Sequence, residues 1–157
     1  MDLKNLKMTA IVNGISLLKL PLLAFTAPSV VALTDRQSIV RVRLGWRTRN
    51  HLGVMYFGAL AMGAELSIAL KAVESIQASG QRIDFLFKDF QARFLKRADG
   101  HVHFVCDEAD GVAALIEKAC GTQERLEAKF KGFAIVPDKG ADPVMTYELT
   151  LSVKNRS

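Results

Sequence analysis

The sequence has little cysteine, no apolar run long enough to span a membrane and no block of like charge. Two cysteines are too few for a disulfide framework and show no metal-ligand spacing, so we expect reduced thiols and no metal site. One lysine and two prolines interrupt the apolar stretch at 15–33, which excludes a membrane span and a signal peptide there. We therefore predict a cytoplasmic protein without a metal or cofactor.

The charge pattern argues against nucleic acid as a partner. The net charge of +5 comes from basic residues spread over several segments, whereas a nucleic-acid interface would concentrate them in a stripe. This distribution is compatible with a small phosphate-bearing ligand or with no charged ligand at all. With 157 residues, half of them hydrophobic, the chain can bury one core without disulfides. We predict a single domain over 1–157, in which an N-terminal helical and extended cover, 1–33, lies on a core formed by 34–155.

The most regular pattern follows a polar, glycine-bearing turn at 50–53. Apolar residues then recur at intervals of three and four, namely at Phe57, Leu60, Ala61, Ala64, Ile68, Ala72 and Ile76. This spacing predicts a long helix that ends before Ser79-Gly80, and its alanines would let a sheet approach closely. Glu65 falls within the apolar stripe, so we expect a buried carboxylate, which is costly unless it has partners or a function.

Strand-like segments with alternating polarity precede and follow this helix. They are 38–47, 83–97, 102–106, 126–136 and 144–153. In the first of them, valines and Trp46 face one side and arginines the other. The second slips at Lys88-Asp89, as at a β-bulge, and Asp99-Gly100 predicts a hairpin to the third.

Shorter helices are predicted outside the strands. Two of them, separated at Asn13-Gly14, cover the core from the N-terminus, and another at 109–120 is capped by Asp107 or Asp110 and ends before Gly121. Because strands and helices do not alternate regularly, we predict an α+β fold, with a curved antiparallel sheet wrapped around one long central helix.

The turn and the start of the central helix resemble a known signature. The resemblance rests on Asn50, Gly53, Tyr56-Phe57-Gly58, Leu60 and Glu65. Hotdog-fold thioesterases of the phenylacetyl-CoA thioesterase type carry an Asn, a Gly, a His-Gly-Gly, a Leu and an acidic residue at those intervals. Segments 50–60 and 88–98 are also similar to an uncharacterised branch of the same superfamily. The resemblance implies a hotdog fold, an acyl-CoA or related thioester as substrate, and a homodimer or dimer of dimers.

The resemblance also assigns roles to residues. The family's catalytic carboxylate falls on Glu65, and the glycine whose backbone N–H polarises the thioester carbonyl falls on Phe57, which precedes Gly58. Tyr56 stands where the family has histidine. An N–H at a helix N-terminus stabilises developing negative charge. Glu65 lies about 12 Å further along the helix axis, so the site is expected to combine the N–H of one subunit with the carboxylate of the other.

Several roles stay open at this stage. Asn50, His51, Gly53 and Tyr56 are expected to line the substrate site, with His51 as a possible base or an ordinary loop residue. Glu65 is either catalytic or a structural carboxylate paired with a neighbour. Basic residues that are candidates for the phosphates of coenzyme A, or merely charged outer faces, are Arg41, Arg43, Arg93, Lys96 and Arg97.

Three functions are compatible with these residues. The leading one is an acyl-CoA thioesterase in which Glu65 activates water or attacks directly. The second is a protein that binds acyl-CoA, an acyl-carrier protein or a fatty acyl group without turnover, which the Tyr56-Phe57 departure favours. The third is a dehydratase, for which His51 is the only candidate histidine.

Overall fold

The computed structural model describes residues 2–157 as four α-helices and one six-stranded sheet. The helices are α1 (Leu3–Lys19), α2 (Pro21–Phe25), α3 (Phe57–Ser79) and α4 (Ala109–Cys120). The strands are β1 (Ser29–Leu33), β2 (Ser38–Val42), β3 (Ile83–Phe94), β4 (Val102–Cys106), β5 (Arg125–Ile135) and β6 (Pro143–Asn155). Every pairing is antiparallel, and the strand order is β1-β2-β4-β5-β6-β3. The predicted architecture, a curved antiparallel sheet with one long helix, is confirmed.

The long helix α3 has the predicted ends and most of the predicted apolar stripe, but Phe57, the first residue of that stripe, is 58% exposed. It begins after Tyr56, whose backbone is extended, and ends at Gly80, whose φ of +67° is a left-handed conformation that glycine adopts without strain. The sheet-facing residues Leu60, Ala64 and Ile68 are buried. Ala64, like Ala72 two turns further on, has a small side chain that lets the helix lie close to the sheet, as the alanine-rich pattern predicted.

Gly63 marks the tightest contact between α3 and the sheet. A Cβ at this position would overlap the ring of Phe104, which is fully buried and cannot move aside. We expect Gly63→Ala to lower the free energy of unfolding by about 2 kcal/mol, since overpacking a core costs roughly 1–3 kcal/mol. The matched control is Gly14→Ala in α1, where a Cβ meets nothing within 4 Å. Urea unfolding should show this control to be neutral or stabilised; equal stability of the two variants would contradict the packing described.

The N-terminal segment departs from the prediction in two ways. The break at Asn13-Gly14 is wrong, because α1 is continuous and the chain turns only at Leu20, before Pro21 opens α2. The Asn13 side chain donates hydrogen bonds to carbonyl oxygens within α1 and on the segment leading to β1, which secures the helix. Residues 29–33, expected to lie on the core as cover, form the edge strand β1.

The connection between β3 and β4 is also different from the prediction. The hairpin at Asp99-Gly100 is wrong, because β3 pairs with β6 while β4 lies between β2 and β5. The connecting segment is held instead by the Met55 N–H, which donates to the Ala98 carbonyl oxygen. A local Asp-Gly pair specifies a turn but not the partner of the strand that follows it. The bulge is confirmed, with a register shift between Phe87 and Phe90.

The end of β2 and the start of α4 also differ from the prediction. Strand β2 ends at Val42, and Trp46, expected on its inner face, is 71% exposed in the loop beyond it. Helix α4 has the predicted bounds, but Glu108 precedes it and none of the described side chains caps it. Asp107 instead accepts a hydrogen bond from a glutamine side chain, and Asp110 accepts one from the backbone N–H of the next residue.

Cys106 and Cys120 are both unbridged, as predicted. Cys106 lies in the core, where burial raises the pKa of its thiol to about 11. None of the helices described in residues 2–157 is both long and apolar enough to cross a lipid bilayer.

Candidate active site

The outward face of α3 forms the floor of an apolar groove. One side of the helix packs on the sheet, another lies under α1 through Leu66 and Leu70, and the strip between them is left uncovered. This groove has a volume of about 600 Å³, with α1 as one wall and β3 as the other. Its floor includes Met62, Glu65 and Ala69. We call it the helix groove.

Phenylalanines supply the β3 wall of the helix groove. Phe85, Phe87 and Phe90 pair with Val153, Leu151 and Leu149 of β6, whose side chains are buried on the concave face. Because directly paired residues share a face of the sheet, these phenylalanines point toward the groove. All three line it, so it is suited to an apolar or aromatic group.

Glu65 has the one carboxylate among the described residues that line the helix groove. The prediction that it is buried is wrong for the single chain: its side chain is exposed, although its neighbour Leu66 is buried in the cluster that includes Val12 of α1. It makes no hydrogen bond and no ion pair with any side chain in residues 2–157, so no arginine neutralises it within the chain. The apolar lining removes part of its water, and this desolvation raises the pKa of the Glu65 carboxyl above its usual value.

The start of α3 presents unpaired backbone donors. The N–H groups of Phe57, Gly58 and Ala59 have no acceptor among the described residues, and the first bond of the helix runs from the Leu60 N–H to the Tyr56 carbonyl oxygen, at 3.1 Å. No side chain of residues 2–157 caps this end. Three free donors at the positive end of the helix dipole can stabilise an anionic oxygen. We call this end the helix mouth.

Two aromatic rings border the helix mouth. The Tyr56 ring lies against Gly58, since a Cβ at Gly58 would come within 2.7 Å of its Cε1 atom. Tyr56 is 55% exposed, and within residues 2–157 its hydroxyl has no hydrogen-bond partner. The Phe57 ring packs against Phe94 with centroids 5.6 Å apart, which places the mouth beside the end of β3.

The predicted substrate-binding turn has a clear structural function. The Asn50 Oδ1 atom accepts hydrogen bonds from the N–H groups of Leu52 and Val54, at 2.9 and 3.3 Å. Gly53 has a φ of +76°, which explains glycine at that position. His51 is exposed on the same turn. Contact of Asn50, His51 and Gly53 with substrate remains a prediction.

One residue that positions the helix mouth was missed from the sequence. The carbonyl oxygen of Thr48 accepts the Tyr56 N–H at 2.7 Å, and the Thr48 hydroxyl donates to the Arg43 carbonyl oxygen at 2.6 Å. Thr48 is buried, so it fixes the residue before α3 against the end of β2. A lone threonine in a loop carries no periodic signal that would identify this role.

Glu65 and the helix mouth do not meet within one chain. Glu65 lines the helix groove, whereas neither Phe57 nor Gly58 does. This agrees with the separation of about 12 Å expected from the helical rise. Among residues 2–157, no three His, Cys, Asp or Glu side chains are close enough together to hold a metal ion.

Comparisons with known proteins place the fold. A family model described as a domain of unknown function, DUF4442, matches residues 9–153, and no curated protein matches the chain. A Shewanella oneidensis protein provisionally named a thioesterase superimposes with a TM-score of 0.77 at 12% identity, over 93% of this chain and 96% of its own. A thioesterase from Haemophilus influenzae gives 0.66 at 14% identity, over 92% and 88%. A Chlorobaculum tepidum protein of unknown function gives 0.78 at 9% identity, over 96% of each chain. This likeness establishes the hotdog fold.

Proposed function

This chain belongs to the DUF4442 family, and on that premise we propose that it hydrolyses the thioester bond of an acyl-CoA or a closely related thioester. The observation that carries the proposal is Glu65, a carboxylate without a partner among the described residues, in a groove that is otherwise almost wholly apolar. Such a groove would take an apolar or aromatic acyl group and present the carboxylate to its thioester end. Several proteins that share the fold are named as thioesterases, which supports the proposal by analogy alone.

The reaction needs a base and an oxyanion site. Glu65 takes a proton from a water molecule as the water oxygen attacks the carbonyl carbon. The N–H groups of Phe57 and Gly58 hold the oxyanion that forms. The carbon–sulfur bond then breaks, the acid is released, and the departing thiolate takes up a proton. In the variant of this scheme in which Glu65 attacks directly, water hydrolyses the resulting anhydride to the same products.

A second copy of the chain is proposed to complete the site. The helix mouth and Glu65 are too far apart to act on one carbonyl within a chain, so each site would take its N–H groups from one subunit and its carboxylate from the other. The support lies in β3, a twelve-residue strand at the edge of the sheet, with Leu86, Phe90 and Phe94 39–49% exposed. A long, exposed, apolar edge strand tends to pair with other chains and aggregate unless something covers it.

Pairing β3 with the same strand of a second copy would continue the sheet and bring the two helix grooves together across a two-fold axis. We expect sedimentation equilibrium at micromolar concentration to show a dimer or a dimer of dimers. A protein that stays monomeric under these conditions would contradict the shared site.

Thiol release separates hydrolysis from mere binding. We expect the purified protein to release free thiol from acyl-CoAs with apolar or aromatic acyl groups, measured with a thiol reagent against a blank without protein. Saturable binding of an acyl-CoA without thiol release would favour the second function, a non-catalytic acyl-binding protein. If the protein neither binds an acyl-CoA nor releases thiol from one, both functions are rejected.

A further inference from the structure

A second concave surface lies apart from the helix groove. It is formed by α1, the segment that enters β1, and the loop after β2, and it has a volume of about 750 Å³. Its lining includes Arg41, Arg43, Arg47, Trp46 and His101 and contains no carboxylate. We call it the arginine groove. Neither Glu65 nor the first turn of α3 lines it.

The positive charge of the arginine groove is not neutralised by any carboxylate in the part of the chain that the structure describes. The ion pairs within residues 2–157 involve other side chains, whereas Arg41, Arg43 and Arg47 have no carboxylate within 4.0 Å. Arg41 Nε donates one hydrogen bond, to the Ser29 hydroxyl at 3.1 Å. Three arginines that face one concavity without acidic partners favour an anion with several oxygens.

Aromatic rings stand beside these arginines. The Arg47 guanidinium lies 5.3 Å from the centroid of the Trp46 ring and 5.5 Å from that of Phe25. The two rings meet edge to face at 5.7 Å, and Trp46 is 71% exposed. An exposed indole braced by a second ring provides a flat surface on which a nucleobase can stack.

His101 adds a further donor. Its Nδ1 atom accepts the Leu44 N–H at 3.1 Å, so the neutral imidazole carries its proton on Nε2. The groove therefore combines charged donors, a neutral donor and a stacking surface. These are the groups that recognise a phosphorylated nucleoside.

The loop after β2 connects the arginine groove to the helix mouth. Thr48 lines the groove, and its carbonyl oxygen holds the Tyr56 N–H at the start of α3. A ligand with its phosphates in the arginine groove would thus lie against the loop that leads to the oxyanion donors. We propose that the arginine groove binds the phosphorylated adenosine end of the acyl-CoA substrate. The assignment to acyl-CoA rests on the proposed function, whereas affinity for the nucleotide itself does not.

The structure supplies a direct probe, because Trp46 is the one tryptophan in the sequence. We expect adenosine 3′,5′-bisphosphate and coenzyme A to quench its fluorescence, and titration calorimetry to give one site per chain. Pantetheine, which lacks the nucleotide, should cause no quenching. ADP and inorganic phosphate distinguish a site for coenzyme A from a general nucleotide or phosphate site. Coenzyme A contains the diphosphate of ADP and a 3′-phosphate as well, so binding of ADP as tight as that of coenzyme A would reject the specific assignment to coenzyme A.

Arginine variants test the groove itself. Arg43→Ala and Arg47→Ala should each weaken bisphosphate binding on the order of tenfold, since each removes a charge-assisted contact. The control is Arg36→Ala, at the opposite end of the β1–β2 hairpin, whose exposed side chain makes no hydrogen bond or ion pair within the described chain. Equal affinity in Arg36→Ala and Arg47→Ala would overturn the proposal. A far-ultraviolet circular dichroism spectrum for each variant confirms that it is folded.

The two proposals fail in different ways. Bisphosphate binding without thiol release would leave the nucleotide site standing and reject hydrolysis. Thiol release with equal kcat/KM for an acyl-CoA and for the matching acyl N-acetylcysteamine thioester would keep hydrolysis and reject the nucleotide site. If Trp46 fluorescence shifts to the blue only with phosphatidylserine vesicles, and no nucleotide quenches it, the arginine groove faces a membrane surface and the proposal is overturned.

Discussion

Replacing Glu65 with glutamine should lower the rate of thioester hydrolysis by a factor on the order of 100 or more. Glutamine keeps the size of the side chain but cannot take a proton from water or attack a carbonyl. The expected loss is in kcat, because the apolar walls of the helix groove that bind the acyl group are unchanged. Thiol release under saturating acyl-CoA measures it.

The same variant should be as stable as the wild type at pH 7, or more stable. Desolvation raises the pKa of Glu65 in the folded state, so this group favours folding below the usual pKa of a glutamate and loses that contribution as pH rises through its raised value. Glutamine has no such loss. The difference in free energy of unfolding by which Glu65→Gln exceeds the wild type should therefore shrink as pH falls. Thermal unfolding at several pH values tests the sign of this change.

Glu117→Gln provides the matched control, since Glu117 is exposed on α4 and makes no hydrogen bond or ion pair among residues 2–157. It should hydrolyse thioesters at the wild-type rate. Full activity in a folded Glu65→Gln protein would remove Glu65 from the reaction. A large loss of stability in Glu65→Gln would instead identify Glu65 as half of a structural ion pair across the subunit interface.

Phe57→Pro should lower kcat by a factor on the order of 100 with little change in fold, because it deletes one backbone donor at the helix mouth. Proline is favoured at the first position of a helix, where its missing N–H breaks no helical bond. The preceding residue must be extended, and Tyr56 already has φ −68° and ψ 141°. The site therefore accommodates proline without a rearranged backbone.

Phe57→Ala separates the N–H from the ring. It keeps the donor and removes the packing against Phe94, so it should retain most of kcat and change mainly KM. Parallel progress curves of the two variants decide the matter. Equal kcat in Phe57→Pro and Phe57→Ala would show that the Phe57 N–H takes no part in holding the oxyanion.

The long helix and the faces of the strands were predictable because their signals are periodic. The spacing of Leu60, Ala64 and Ile68 specified both the helix and its buried face, and the slip at Lys88-Asp89 specified the bulge. The partner of β3 was not predictable in this way. The Asp-Gly turn is a local feature, whereas the pairing of β3 with β6 joins segments about sixty residues apart.

The surroundings of Glu65 show a second limit. A stripe of apolar residues predicts that a helix is buried, but not which elements bury it or where they end. Here the sheet and α1 cover two faces of α3, and the strip that carries Glu65 lies between them. The catalytic role of Glu65 was inferred from its position in the thioesterase signature and not from the periodic pattern. A measurement of activity is therefore its direct test.

The shared site is tested most directly by combining the two defective chains in one dimer. Glu65→Gln and Phe57→Pro chains with different affinity tags are co-expressed, and the heterodimer is isolated by two successive affinity steps. One of its sites then has an intact N–H from the Glu65→Gln chain and an intact carboxylate from the Phe57→Pro chain, while the other lacks both. A site built across the subunits predicts a heterodimer with about half the wild-type rate of thiol release. A heterodimer no more active than its two parents would contradict it.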